Sequence, residues 1–116
     1  MAYSLLLEKI LRILEFDRNR KCIGQQKITV DETAAVSLTP TSGANSAIIT
    51  LEDGASATPT KSCRFYESGT APTAVNGVPL GNLDTYEIIG PTCLANFKII
   101  GVEAGKTHTL QILYYA

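Results

Sequence analysis

The sequence predicts a mainly β fold: an antiparallel β-sandwich, jelly-roll-like, with seven or eight strands and preceded by an N-terminal α-helix. From residue 27 onward, apolar residues alternate with polar ones in short segments separated by Gly, Pro, Asn and Asp, which is the pattern of a sandwich or barrel. Before residue 17 the apolar residues recur instead at spacings of three and four, the period of a helix. We therefore divide the chain into residues 1–24, an amphipathic helix with a polar junction, and residues 25–116, a β-sandwich domain.

The composition is that of one ordinary globular domain. The chain has 116 residues, of which 45% are hydrophobic and 18% charged, enough for a single core. Ten basic and eleven acidic residues give a net charge of −1, so no overall positive field attracts nucleic acid. A continuous run of about 20 apolar residues, which a membrane-spanning helix needs, is missing from the sequence. We expect neither a nucleic acid nor a membrane as a partner.

The residues with reactive side chains do not form a known catalytic or metal-binding pattern. Cys22, Cys63 and Cys93 are odd in number and lack the spacing of a zinc site, and we expect Cys63 and Cys93 to be buried thiols. The only histidine, His108, alternates with threonines, which indicates a strand residue that faces solvent or a neighbour. With no paired nucleophile and base, no facing carboxylates and no Gly-rich phosphate loop, we predict no enzyme, cofactor or metal.

Residues 3–16 are predicted to form the helix, and its apolar side is the predicted interface. A helix this apolar and only about four turns long is not stable alone in water, so it must pack against something. Its own sandwich, sister copies and another protein all remain open as partners. The polar, glycine-containing junction 17–26 favours an arm that stands away from the body. The predicted interface residues are Tyr3, Leu6, Leu7, Ile10, Leu11 and Leu14.

The remaining periodic segments are predicted strands with defined inward and outward faces. They are residues 27–30, 34–40, 46–52, 63–68, 84–90, 96–103 and 107–115. In the last of them, Leu110, Ile112 and Tyr114 alternate with Gln111, Leu113 and Tyr115. Gly101 predicts a bulge or a close backbone approach. Several strands are apolar on both faces, for example at Ile48 and Ile49, which predicts that an outer face meets a neighbouring subunit or the helix.

The stretch 62–81 is predicted to begin as a strand and continue as a rigid surface loop. Gly69, Pro72, Asn76 and Gly77 mark the turns of this loop. We interpret these four residues as markers of the fold rather than as a binding site. Substitutions at Pro72 or Gly77 are therefore expected to harm folding before attachment.

The segments CRFYESGTAPTAVNGVPLG, DTYEI and LANFKIIGVEAGKTHTLQILYYA resemble small structural proteins encoded among the virion genes of tailed bacteriophages. The resemblance covers roughly residues 34–116, its most specific part is the GTAPTA loop, and the leucine-rich helix lies outside it. The residues that carry it are Arg64, Phe65, 69–74, Asn76, Gly77, Leu80, Ala95, 97–100, 110–112, Tyr114 and Tyr115.

The resemblance implies a virion protein that is assembled in the cytoplasm of the host bacterium. Such modules serve as head decoration (cement) proteins, as neck or tail components or as pieces of fibres, and they act as homo-oligomers, often trimers. It implies docking on other virion proteins such as the major capsid protein, and it transfers no catalytic residue. We expect capsid decoration or another head or neck role. The alternative is a receptor- or carbohydrate-binding module of a tail or head fibre, although the chain offers five Tyr and no Trp as sugar platforms.

Overall fold

Eight strands in the described part of the chain form two four-stranded antiparallel sheets. A computed structural model describes residues 6–10, 20–54 and 62–116. A short helix spans Pro91–Asn96, and residues 6–10 are also helical. The strands are β1 Cys22–Val30, β2 Val36–Ser37, β3 Ser46–Glu52, β4 Cys63–Tyr66, β5 Val78–Leu80, β6 Thr85–Ile89, β7 Lys98–Gly101 and β8 His108–Tyr115.

In each sheet, strands from the first four (β1–β4) alternate with strands from the last four (β5–β8). The first sheet has the order β1-β8-β3-β6 and the second the order β2-β7-β4-β5. Strand β1 pairs with β8, β2 with β7, β3 with β6 and β4 with β5, and every one of these pairs is antiparallel. The prediction of a mainly β, antiparallel, two-sheet sandwich is confirmed.

The core lies between the sheets and is filled by the alternate residues that the sequence places inward. Leu110, Ile112 and Tyr114 of β8 are buried, while Gln111 and Leu113 between them are exposed. Strand β3 shows the same alternation, with its buried residues at 47, 49 and 51. Burial of each such side chain stabilises the fold by about 1.5–3 kcal/mol. The alternation therefore fixes which face of each long strand remains available for contacts outside the domain.

Aromatic side chains join the two sheets across the core. The ring of Phe65 on β4 lies 4.8 Å from the ring of Tyr86 on β6, and 5.3 Å from the ring of Phe97. The hydroxyl of Tyr86 donates a hydrogen bond to Glu67 at 2.9 Å. Since β4 and β6 belong to different sheets, these contacts tie the two layers together.

The predicted close approach at Gly101 is confirmed. A Cβ atom there would lie 2.9 Å from the carbonyl carbon of Asp31, closer than real side chains come. The N–H of Gly101 donates to the carbonyl of Asp31 at 2.8 Å. Only glycine lets the end of β7 pack this closely against the chain that leaves β1.

Strand β1 begins at Cys22, five residues before the predicted start at Lys27. Gln25 and Gln26 pair with Leu113 and Ile112 of β8, so residues assigned to the polar junction are part of the sheet. Backbone hydrogen bonds build this edge strand, and they do not require an apolar side chain at each inward position. The division of the chain at residue 24 stays a prediction.

Three other elements differ from the predicted ones. The segment 34–40 contributes only Val36–Ser37, and the helix Pro91–Asn96 was not predicted. Proline at a first helical position is favourable because its missing N–H would be unpaired there in any case. Strand β5, Val78–Leu80, lies in the stretch that was predicted as a loop. It contains Pro79, and among the described strands β5 is at the edge of its sheet, where proline is tolerated.

Candidate functional site

The helical residues 6–10 expose an apolar face. Leu6, Leu7 and Ile10 are separated by three and four residues, so their side chains lie on one side of the helix. Their exposed fractions are 58%, 57% and 46%. We call these three residues the apolar helical face. The other predicted interface residues, Tyr3, Leu11 and Leu14, lie outside the described residues.

The helices within the described ranges include none that is long and apolar enough to cross a lipid bilayer. The short helix Pro91–Asn96 buries Leu94 in the sandwich and so belongs to the core.

A second candidate surface lies on the outer side of the first sheet. Gln25, Leu113, Ile48 and Glu87 form one row across β1, β8, β3 and β6. Leu113 is 42% exposed and Ile48 is partly buried. The row lines part of a groove with a volume of about 510 Å³, which we call the outer groove. Its lining residues are Gln25, Gln26, Lys27, Ile48, Thr50, Gln111, Ile112 and Leu113.

The outer groove has an apolar centre and a polar rim. In the row next to Leu113 and Ile48, Gln111 lies between Lys27 and Thr50. The hydroxyls of Thr50 and Thr85 are 3.1 Å apart and hydrogen bonded. An apolar centre surrounded by polar side chains is the usual composition of a protein-binding patch. The prediction that an outer face is partly apolar agrees with this geometry.

Arg20 fixes the start of the sandwich to the same outer face. Its guanidinium carbon lies 4.8 Å from the centre of the Tyr115 ring, a cation–π distance. The same side chain donates to the Ser46 hydroxyl at 3.3 Å and lies 3.5 Å from a carboxylate oxygen of Glu87. The backbones of Lys21 and Ala116 exchange two hydrogen bonds, at 2.9 and 3.0 Å. Arg20 and Lys21, the two residues before β1, are therefore held at this end of the first sheet.

The loop between β4 and β5 contains the four predicted marker residues. The backbones of Thr73 and Asn76 exchange hydrogen bonds of 2.8 and 3.3 Å, and Pro72 is buried. The N–H of Gly69 donates to the carbonyl of Asn96 at 3.2 Å. These contacts hold the loop against its own domain.

Gly77 closes that loop in a conformation that favours glycine. Its φ is +141°, and a Cβ atom there would lie 2.9 Å from the Cβ of Arg64 and 3.2 Å from that of Pro72. The carbonyl of Gly77 accepts a hydrogen bond of 2.7 Å from Arg64. The interpretation of the loop as a rigid element fits these contacts.

The prediction that His108 faces solvent or a neighbour is wrong, because His108 is 1% exposed and lies inside the sandwich. Its Nδ1 accepts a hydrogen bond of 3.1 Å from the N–H of Gly54, so the proton of the neutral ring is on Nε2. Nε2 has no hydrogen-bond partner among the described residues. The sequence already indicated this position, because His108 is two and four residues from Leu110 and Ile112 and therefore lies on the same face of the strand.

Polar groups around His108 form a small buried cluster. A carboxylate oxygen of Asp53 lies 3.6 Å from Nδ1 of His108, and the Ser62 hydroxyl donates to the other oxygen at 2.5 Å. Burial raises the pKa of the Cys63 thiol to about 12, and the Asp53 carboxylate adds to the shift. The hydroxyl is bonded to a carboxylate rather than to the imidazole, and the thiol stays protonated. The hydrogen bonds of Ser62 with Asp53 and of Gly54 with His108 join β4 and β8 to the chain that leaves β3, and no nucleophile is paired with a base in this cluster.

Among residues 6–10, 20–54 and 62–116, no three His, Cys, Asp or Glu side chains are grouped so that they could hold a metal ion. Of the predicted buried thiols, Cys63 is fully buried and Cys93 half-buried.

The fold and these surfaces define a β-sandwich protein with a separate apolar helical face. No model of a known protein family matches the chain, and no curated protein is similar enough to count as a relative. The function therefore has to be inferred from the surfaces themselves.

Proposed function

We propose that the chain is a structural component of a tailed-phage virion, a capsid decoration (cement) protein or another head or neck protein. It acts as a homo-oligomer, with three copies as the expected number, and docks on other virion proteins such as the major capsid protein. It carries out no enzymatic reaction. Its location is the virion, after assembly in the host cytoplasm.

The observation that carries the proposal is the order of the strands. Pairing of β1 with β8, β2 with β7, β3 with β6 and β4 with β5, in two four-stranded sheets, is the order we assign to a jelly roll. Jelly rolls are a common domain of viral capsid proteins and also occur in lectins. The strand order therefore supports a virion protein, and it agrees with the resemblance of residues 34–116.

The apolar helical face supports attachment as the mode of action. Leu6, Leu7 and Ile10 are about half exposed, and an apolar helical stripe of this kind requires a partner surface. Extension of the helix over residues 3–16, with the sandwich following it, is part of the proposal. The helix is then the element that joins copies to one another or to the capsid.

The rim and centre of the outer groove do not favour the sugar-binding alternative. Sugar sites usually present an open aromatic ring, whereas the groove contains none. The nearest ring on this face, that of Tyr115, is covered by the Arg20 guanidinium.

Two measurements test the proposal. Light scattering on the purified chain at micromolar concentration should give an oligomer, and mass spectrometry of purified virions should find the chain at a fixed ratio to the major capsid protein. A monomer that is absent from virions would contradict the proposal.

Deletion of residues 1–19, which leaves Arg20 and the whole of β1 in place, separates the two candidate roles. Loss of oligomerisation and of particle binding is expected for a decoration protein. Glycan binding that survives in the truncated chain would support the fibre module instead.

A further inference from the structure

We propose that the outer groove of one copy receives the apolar helical face of a neighbouring copy, so that arm exchange builds the oligomer. The inference rests on the proposed function, which requires an oligomer but does not say which surface the helix contacts. The receiving surface is centred on Leu113 and Ile48.

Each of the two apolar surfaces is open within a single chain. Leu6 and Leu7 are 58% and 57% exposed, and Leu113 is 42% exposed. The helical face is a narrow apolar stripe, and the groove is concave with an apolar centre and a volume of about 510 Å³. Docking of an amphipathic helix into an apolar groove is a recurring mode of recognition.

Arg20, the first described residue of the sandwich, lies on this face. Its side chain is held over Tyr115 and Ser46, and each of these lies two residues along its strand from Leu113 or Ile48. Two residues of a strand span about 7 Å. Arg20 therefore lies about 7 Å from the centre of the groove.

The arm is long enough to reach a neighbouring sheet. Ten positions separate Ile10 from Arg20, a distance of about 15 Å if helical and about 33–36 Å if extended. The outer strands of a four-stranded sheet are about 14 Å apart. Either length can carry the helical face beyond the edge strand β1 and onto a copy that lies beside it.

Charged side chains lie at the two edges of the outer face and leave its centre apolar. Glu87 on β6 ends the row that contains Leu113 and Ile48, and its carboxylate lies 3.5 Å from Arg20. Lys27 lies on the edge strand β1 of the same face, next to Gln111. The contact of a docked helix with this face is therefore centred on apolar side chains.

A second copy is the occupant that satisfies both surfaces at once. Every copy brings one helical face and one groove, so head-to-tail exchange leaves neither uncovered and can close into a ring. A ring of this kind is compatible with the three copies expected above.

The test mixes two full-length variants. Leu7→Asp disables the helical face and leaves the groove intact, and Leu113→Glu disables the groove and leaves the helical face intact. We expect each variant alone to be monomeric by light scattering at a concentration where the parent chain is an oligomer. An equimolar mixture should form a one-to-one heterodimer, because each variant supplies the surface that the other lacks. Val75→Glu, at the exposed loop tip, is the matched control and should leave the oligomer unchanged.

The outcomes separate this inference from the function on which it rests. If Leu113→Glu remains an oligomer while Leu7→Asp does not, the arm uses another surface and the inference is wrong, but the proposed function stands. If the parent chain is monomeric and absent from virions, the proposed function fails as well. If the helix covers its own sheet, the mixture gives no heterodimer, which also overturns the inference.

Circular dichroism of each variant checks that it folds. Should Leu113→Glu fail this check, Leu113→Ala takes its place, with at least a tenfold weaker association expected. Association of Leu113→Ala at the parent strength would overturn the inference.

Discussion

The loop between β4 and β5 and the helical residues 6–10 are both surface elements, but they differ in where their contacts lie. The loop holds itself by hydrogen bonds between Thr73 and Asn76 and by the burial of Pro72. The helical face has three adjacent apolar side chains that are about half exposed. The Gly and Pro pattern of the loop is therefore explained by contacts within the domain. The exposed apolar side chains of the helix have no such explanation and indicate a partner.

Among the substitutions that test this difference, Ile10→Asp should have the largest effect, and the effect is on the oligomer. A charge in the centre of the apolar helical face cannot be buried against a partner without a large desolvation penalty. We expect complete loss of the oligomer by light scattering, with the free energy of unfolding of the sandwich changed by less than about 0.5 kcal/mol. Glu8→Asp places the same side chain on the opposite side of the helix, outside the apolar helical face, and should retain the oligomer. An oligomer that persists in Ile10→Asp would show that the helical face is not the attachment surface.

The reverse effect is expected from Gly77→Ala. A side chain at φ +141° is strained and would also meet Arg64 and Pro72. We expect a loss of about 1–3 kcal/mol in the free energy of unfolding, measured in urea, with the oligomer retained. Gly43→Ala is the matched control, because Gly43 also has positive φ, +87°, but nothing lies within 4 Å of its added Cβ. Equal losses in the two variants would mean that the packing of the loop contributes nothing.

Alkaline pH should weaken the sandwich through two buried groups. Burial raises the pKa of Cys63 from 9.0 to about 12 and that of Tyr114 from 10.0 to about 12. The unfolded chain releases these protons first, so the stabilisation is fully present below about pH 9 and is lost as pH rises towards 12. For each group, the free energy of unfolding falls by at most about 1.4 kcal/mol per pH unit. Urea unfolding at pH 8, 9, 10 and 11 measures it, and Tyr114→Phe should flatten the decline above pH 10.

The smallest effect is expected at the junction between the arm and the sandwich. Arg20→Ala removes a cation–π contact with Tyr115 and a partly exposed ion pair with Glu87. Such contacts contribute about 1 kcal/mol or less, and the ion-pair part should decrease with added salt. Lys21→Ala is the control, since the hydrogen bonds of Lys21 with Ala116 come from its backbone. Thermal unfolding at low and high salt compares the two variants, and equal stabilities at low salt would contradict the role of Arg20.

The alternation of residues was enough to predict β3 and β8. Strand β3 has the predicted bounds Ser46–Glu52, and β8 differs from its prediction by one residue. Alternation predicts these strands because one face of each is packed on the core. Burial of that face determines both the side-chain pattern and the register of strand pairing.

The parts that were missed depend on neighbours that are distant in the sequence. The polar start of β1 is a strand because β8 pairs with it. Strand β5 tolerates Pro79 because, among the described strands, β5 is at the edge of its sheet. The position of Arg20 over Tyr115 joins residues 95 positions apart in the chain. The outer groove likewise requires the order of β1, β8 and β3 in the sheet, which alternation alone does not give.

The short turn between Thr73 and Asn76 has a practical consequence. Its two ends are already held together by reciprocal hydrogen bonds, and Val75 at the tip is 77% exposed. A foreign peptide inserted beside Val75 would start and finish at neighbouring points, and closure of such a loop costs little more as the insert becomes longer. The insert would also leave the helical face and the outer groove unaltered. In an assembly with one such turn per copy, the spacing between displayed epitopes would be set by the particle and not by the peptide.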